Sequence, residues 1–133
     1  MKVVQPEGWA PAKGYANGVA CEGGRTVYVA GQIGWDGQCV FHSDDFVEQF
    51  DQALDNVVAV VKAAGGSPEH IVKMTVYVTD LDAYRGSLRE VGRCWKQRLG
   101  RHFPAMALVG VAGLVERRAK VEIEAVAHIP EEP

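Results

Sequence analysis

The sequence is poor in the features that mark several protein classes. Its three cysteines, Cys21, Cys39 and Cys94, are odd in number and share no metal-type spacing, so neither a disulfide framework nor a zinc site is implied and reduced thiols are expected. No apolar run approaches the ~20 residues that span a bilayer, so no membrane partner is expected. The opening Met1-Lys2-Val3-Val4-Gln5-Pro6 lacks the apolar core of a signal peptide, and the expected location is the cytoplasm. Basic residues are outnumbered, 14 Lys and Arg against 17 Asp and Glu, giving a formal net charge of −3. With no basic stripe to track a phosphate backbone, a nucleic-acid partner is not expected. Repeats and low-complexity segments are absent as well.

What is there is an ordinary globular composition. Apolar residues make up 47% and charged residues 23% of 133 positions, enough for one real core and too short for two comfortable ones. One domain, 1–133, is the expectation.

The opening, Met1 to Gly14, carries Pro6, Gly8, Pro11 and Gly14 and reads as an extended arm with turns. Tyr15 to Cys21 and Thr26 to Ala30, split by Glu22-Gly23-Gly24-Arg25, predict an antiparallel hairpin. Gly31 to Gly37 is too rich in glycine for a plain strand. Ser43-Asp44-Asp45 then offers capping oxygens before Phe46, Phe50, Ala53, Leu54, Val57, Val60, Val61 and Ala64, whose spacing predicts a long helix ending at Gly65-Gly66. Ser67-Pro68-Glu69-His70 predicts one turn at most.

Ile71 to Thr79 is dense in β-branched residues and puts Val72, Met74, Val76 and Val78 toward a core. Asp80 caps a second helix with Leu81, Tyr84, Leu88, Val91, Trp95 and Leu99 on one face, stopped by Gly100. The run Phe103 to Leu114 is almost wholly apolar, as in a strand covered on both faces. Ala119 to His128 alternates, with Val121, Ile123, Ala125 and Ala127 on one side and Lys120, Glu122, Glu124, Val126 and His128 on the other. The order β-β-α-β-α-β-β implies an α/β (α+β) sandwich, a mixed sheet with two helices on one face. No third helix remains for the second face, so self-association is expected to cover it, with Thr75, Tyr77 and the run near Met106 involved. The face carrying Glu122 is either a solvated surface screened by Lys120 or the wall of a cleft with Glu122 as its carboxylate.

Seven strings, in this order and spacing across nearly the whole chain, resemble the Rid family of reactive-intermediate deaminases, also called YjgF-like or L-PSP endoribonucleases. They are Gly14-Tyr15-Ala16-Asn17-Gly18, Val29-Ala30-Gly31-Gln32-Ile33, Leu54-Asp55-Asn56-Val57, Ala63-Ala64-Gly65, Ile71 to Asp80, Phe103-Pro104-Ala105 and Val121-Glu122-Ile123-Glu124-Ala125. The resemblance implies a chorismate-mutase-like domain, a homotrimer, and small-molecule clefts between subunits. It further implies hydrolysis of 2-iminoacids or 2-enamino acids to 2-oxoacids and ammonia, without cofactor or metal.

Carried over position by position, the resemblance makes Glu122 the cleft acid or base and Tyr15 the cleft tyrosine. Backbone groups around Gly31 and Ala107 match the family's oxygen-binding positions. Four polar cleft positions are apolar here. Met106 stands in place of the arginine after Phe-Pro-Ala, Ala30 in place of serine, Leu88 in place of asparagine, and Leu108 in place of cysteine or threonine. A bidentate guanidinium fixes both charge and orientation of a substrate carboxylate. Losing the partner of a desolvated charge costs about 2 to 5 kcal/mol, which implies a ligand other than a small 2-iminoacid and an arginine-lacking subgroup. His102, Arg101, Arg117 and Arg118 are the cations available to supply a charge. The expected function is hydrolysis of an imine or enamine metabolite; the alternative is a metabolite-binding or sensing trimer without turnover.

Overall fold

A computed structural model describes residues 1–132. Its elements are β1 (Lys2–Val4), β2 (Gly18–Ala20), β3 (Arg25–Ile33), α1 (Phe46–Ala63), a 3-10 turn (Pro68–His70), β4 (Ile71–Val78), α2 (Leu81–Arg85), α3 (Leu88–Leu99), β5 (Ala105–Gly110) and β6 (Val121–Ile129). Four strands form a mixed sheet in the order β3-β6-β4-β5, in which only the β4–β5 pair is parallel. The expected mixed sheet with helices on one face is therefore observed.

The long helix begins where Asp45 accepts a hydrogen bond from the Glu48 amide, and its apolar stripe, Phe50, Ala53, Leu54, Val57 and Val61, is buried against the sheet. Burial of each large side chain of that stripe contributes about 1.5 to 3 kcal/mol. From the sheet side, Met74, Val76 and Val78 of β4 and Val121, Ile123, Ala125 and Ala127 of β6 complete the core. Arg98 of α3 locks the two helices together, with Nε and Nη2 on the Asp51 carboxylate at 2.9 and 3.1 Å and Nη1 on Asp55 at 2.7 Å.

Four local expectations are corrected. The predicted hairpin does not close: β2 pairs with β1, Val19 opposite Val3, while β3 pairs with β6. Gly23 and Gly24 do take positive φ, 61° and 63°. There they carry the chain against β6, where a side chain at Gly24 would sit 2.2 Å from the Ile129 carbonyl oxygen. The second helix is broken into α2 and α3 at Gly86-Ser87, consistent with the weak helix propensity of glycine. At the start of β4 a register shift between Ile71 and Lys73 turns Ile71, not Val72, into the core.

The fourth concerns the Phe103 run. It forms the edge strand β5, so it is covered on one face: Met106 and Leu108 pack on the core while Ala107 and Val109 are exposed. The apolar character of its outer face is therefore unaccounted for within one chain.

Candidate functional site

Strand alternation sorts the predicted site residues into two groups. On β6, Glu122 and Glu124 both face away from the helices, beside Tyr77 and Thr75 of β4. The Tyr77 hydroxyl donates to Glu124 Oε1 at 2.8 Å. That bond, with burial and the negative charge of the neighbouring glutamates, holds the phenol above its ordinary pKa, so Tyr77 remains a fixed donor. The half-buried Glu122 takes part in no hydrogen bond or ion pair among the described residues. One of the two parallel carboxylates is engaged, and the other has no partner among the described residues.

Gly31 is what makes room for it. The register of β3 against β6 shifts between Val29 and Gln32, a bulge that contains Ala30 and Gly31 and leaves both exposed. A Cβ on Gly31 would stand 2.8 Å from Cδ of Glu122. The glycine-rich loop beyond is held by Asn56 of α1, whose amide donates to the carbonyls of Ile33 and Trp35 at 3.1 and 2.7 Å. Asp36 fixes its far end, bonded to His42 Nε2 at 2.6 Å and to the amides of Gln38 and Val40. These contacts, the His42 bond first, hold the Asp36 carboxyl below its usual range.

The second group lies on the helix side. Met106 is the register partner of buried Met74, and Leu108 of buried Val76, so both side chains point under α3. There they meet Leu88, Trp95 and Phe103 around a cavity of about 400 Å³. Phe103 stacks on Trp95, ring centroids 5.8 Å apart and 7° from parallel. The Trp95 indole N–H donates to the His102 carbonyl at 3.0 Å, which fixes the entry to β5.

Tyr15 stands next to this group rather than in it. The Ala16 amide donates to the Pro104 carbonyl at 2.9 Å and Ala16 bridges Ala105, which docks the N-terminal arm on the free edge of β5. Tyr15, exposed, lines an adjoining cavity of about 500 Å³ with Trp9, and Arg101 and Phe103 line both cavities. Ala107 falls on the opposite face, beside Thr75. The structure thus brings Met106, Leu108 and Leu88 together, and separately Glu122 and Gly31, on opposite faces of the sheet.

Sequence reasoning read Trp95 as core and did not single out Lys96 or Gly92. The signal was present: Leu88, Gly92 and Lys96 recur at four-residue spacing on one stripe of α3, and all three line the cavity.

Residues 7–129 match the profile of the family described as "Endoribonuclease L-PSP". The chain belongs to this family. Within the L-PSP (Rid/YjgF) family, the human protein named 2-iminobutanoate/2-iminopropanoate deaminase is 40% identical over 106 residues, 77% of this chain and 72% of that protein. Among solved structures, the Rid family protein YyfB of Yersinia pestis, of unknown function, covers 96% of this chain and 98% of its own at 27% identity, with a TM-score of 0.85. E. coli TdcF, solved with bound serine, is 34% identical over 97% of this chain and 99% of its own, with a TM-score of 0.68. No helix among the described residues is long and apolar enough to cross a membrane.

Proposed function

We propose that the whole chain, 1–133, forms one Rid domain of a cytoplasmic homotrimer that hydrolyses an imine or enamine metabolite in clefts between subunits. The observation that carries this reading is the free, half-buried Glu122 carboxylate seated against Gly31. A carboxylate so placed accepts a proton from water as the oxygen adds to the iminium carbon. The proton then passes to the nitrogen of the resulting carbinolamine, the freed carboxylate takes the hydroxyl proton as the C–N bond breaks, and ammonia leaves as the carbonyl forms. Tyr15 supplies a hydroxyl at the cleft to orient the reacting group.

The same geometry supports assembly. Glu122 and the Met106 group lie on opposite faces of one sheet, so a single cleft holding both requires the open face of one chain to meet the β5 edge of another. The exposed apolar side of β5 gives that edge a reason to be covered. In this arrangement backbone groups at Gly31 and Ala107 contact the substrate, and Ala30, Leu88, Met106 and Leu108 form an apolar wall where the deaminases of this family carry polar groups. That wall supports an arginine-lacking subgroup whose substrate differs from a small 2-iminoacid. Neither metal nor nucleic acid has a part in the reaction.

A binding or sensing role without turnover is the second reading. The apolar cavity at Met106 favours it, because Met106, Leu108 and Leu88 offer no charge at the position of the family's arginine. The test is ammonia release from freshly generated imines by wild type and Glu122→Ala, together with the solution mass. The expected results are loss of turnover in the variant and a particle three times the 14.4 kDa chain; a monomer, or an unaffected variant, overturns the reading.

A further inference from the structure

The cavity between α3 and β5 carries information about its ligand that the position of Met106 alone does not. Its walls are apolar and aromatic, built from Trp95, Phe103, Leu88, Met106 and Leu108, and its volume of about 400 Å³ falls in the range of sites that enclose a whole small molecule. Leu88, at the first position of α3, remains 57% exposed and borders the opening. A cavity this apolar is filled most favourably by a group that sheds its own hydration there, and the stacked Trp95–Phe103 pair is part of its lining.

Two cations, Lys96 and Arg101, stand at the exposed margin of the same cavity. Neither pairs with a carboxylate among the described residues, whereas Arg98, between them in sequence, is fully engaged with Asp51 and Asp55. No acidic residue lines the cavity. Charge at its mouth is therefore of one sign and uncompensated.

Gly92 adds an independent observation. It sits inside α3, between Leu88 and Lys96 on the cavity-lining stripe, where a Cβ would meet nothing within 4 Å. Glycine is a poor residue for a helix interior, and here it keeps the space beside the cavity open.

We propose that this cavity receives a bulky aromatic or branched group of the metabolite, and that Lys96 and Arg101 hold an acid group of the same molecule at the mouth. The anion is thus gripped at the helix margin of the cleft, not at position 106. This inference rests on the reading that Met106, Leu108 and Leu88 line the ligand cleft.

Calorimetric titration with three probes tests it: 3-phenylpropionate, its neutral amide 3-phenylpropanamide, and propionate. The acid with the ring is expected to bind about ten-fold more tightly than either of the others. Lys96→Gln combined with Arg101→Gln is expected to bring the acid down to the affinity of the amide and leave the amide unchanged. Gly92→Leu is expected to abolish binding of both ring compounds while the melting temperature does not fall. Equal binding of acid and amide, no gain of the ring compound over propionate, or undiminished binding in Gly92→Leu overturns the proposal. Ammonia release by wild type separates the two readings: probe binding with no release from any imine retains this inference and removes the hydrolase. Ammonia release from small aliphatic imines without probe binding does the reverse.

Discussion

Met106 and Glu122 stand on opposite faces of one sheet, Met106 beside buried Met74 and Glu122 beside Tyr77. The two positions that the family resemblance places in a single cleft therefore cannot meet within one chain. What does meet Glu122 is Gly31, and what meets Met106 is Leu88, Leu108 and the Trp95–Phe103 stack.

Gly31→Ala is expected to displace the Glu122 side chain, since the new Cβ would fall 2.8 Å from its Cδ. Turnover should drop by at least about ten-fold while the far-ultraviolet circular dichroism is unchanged, because Gly31 lies in an exposed bulge rather than the core. Steady-state kinetics on any accepted imine checks this, and wild-type activity in Gly31→Ala would show that the Glu122 position is not needed.

Gln49 ties the start of α1 to the preceding Ser43 loop and to the far Arg118–Lys120 segment. Its amide donates to the carbonyls of Ser43 and Arg118, both at 3.0 Å, and its Oε1 accepts from the Lys120 amide at 2.8 Å, all with the side chain buried. Gln49→Leu strands those groups and is expected to cost about 3 kcal/mol, measured as a lower urea midpoint at constant slope. A loss below about 0.5 kcal/mol would show that water replaces all three bonds.

The carboxyl of Asp36 is held below its ordinary value of 3.8 by His42 and two backbone amides. A depressed folded-state pKa contributes stability above the unfolded value that is lost as pH falls through the folded one. Wild type is therefore expected to exceed Asp36→Asn in melting temperature at pH 6, and the gap to close below about pH 4. A gap that persists unchanged at pH 2.5 contradicts the assignment.

Gly92→Ala is expected to stabilise the chain by about 1 kcal/mol, because the position is inside α3 and the added methyl meets nothing within 4 Å. Chemical denaturation measures this directly. No gain would mean that α3 is strained or frayed at that point.

Much of this was legible in the residues. Period-2 alternation in Val121 to Ala127 and period-3.6 spacing in Phe46 to Val61 fixed the core faces, because burial on one face is what those periods encode. The pairing of β2 was not legible: the two glycines allow a turn, but which strand receives the chain is decided by β6, more than 90 residues later in sequence. Nor was the register shift at Ile71, since a bulge leaves the local pattern of apolar residues intact while reversing which of two neighbours points inward. Alternation alone did not distinguish Glu122 from Glu124, and it was the family resemblance that singled out Glu122. The reach of the Tyr77 hydroxyl to Glu124 and the seat of Glu122 against Gly31 separate them.

The most direct test of the account is the rate of ammonia release from a bulky aryl imine and from the small 2-iminopropanoate, with wild type, Glu122→Gln and Met106→Arg side by side. The account predicts that wild type favours the aryl imine, that Glu122→Gln loses at least about 100-fold on it, and that Met106→Arg gains on 2-iminopropanoate. Wild type inert on every imine, or Glu122→Gln as fast as wild type, would contradict it.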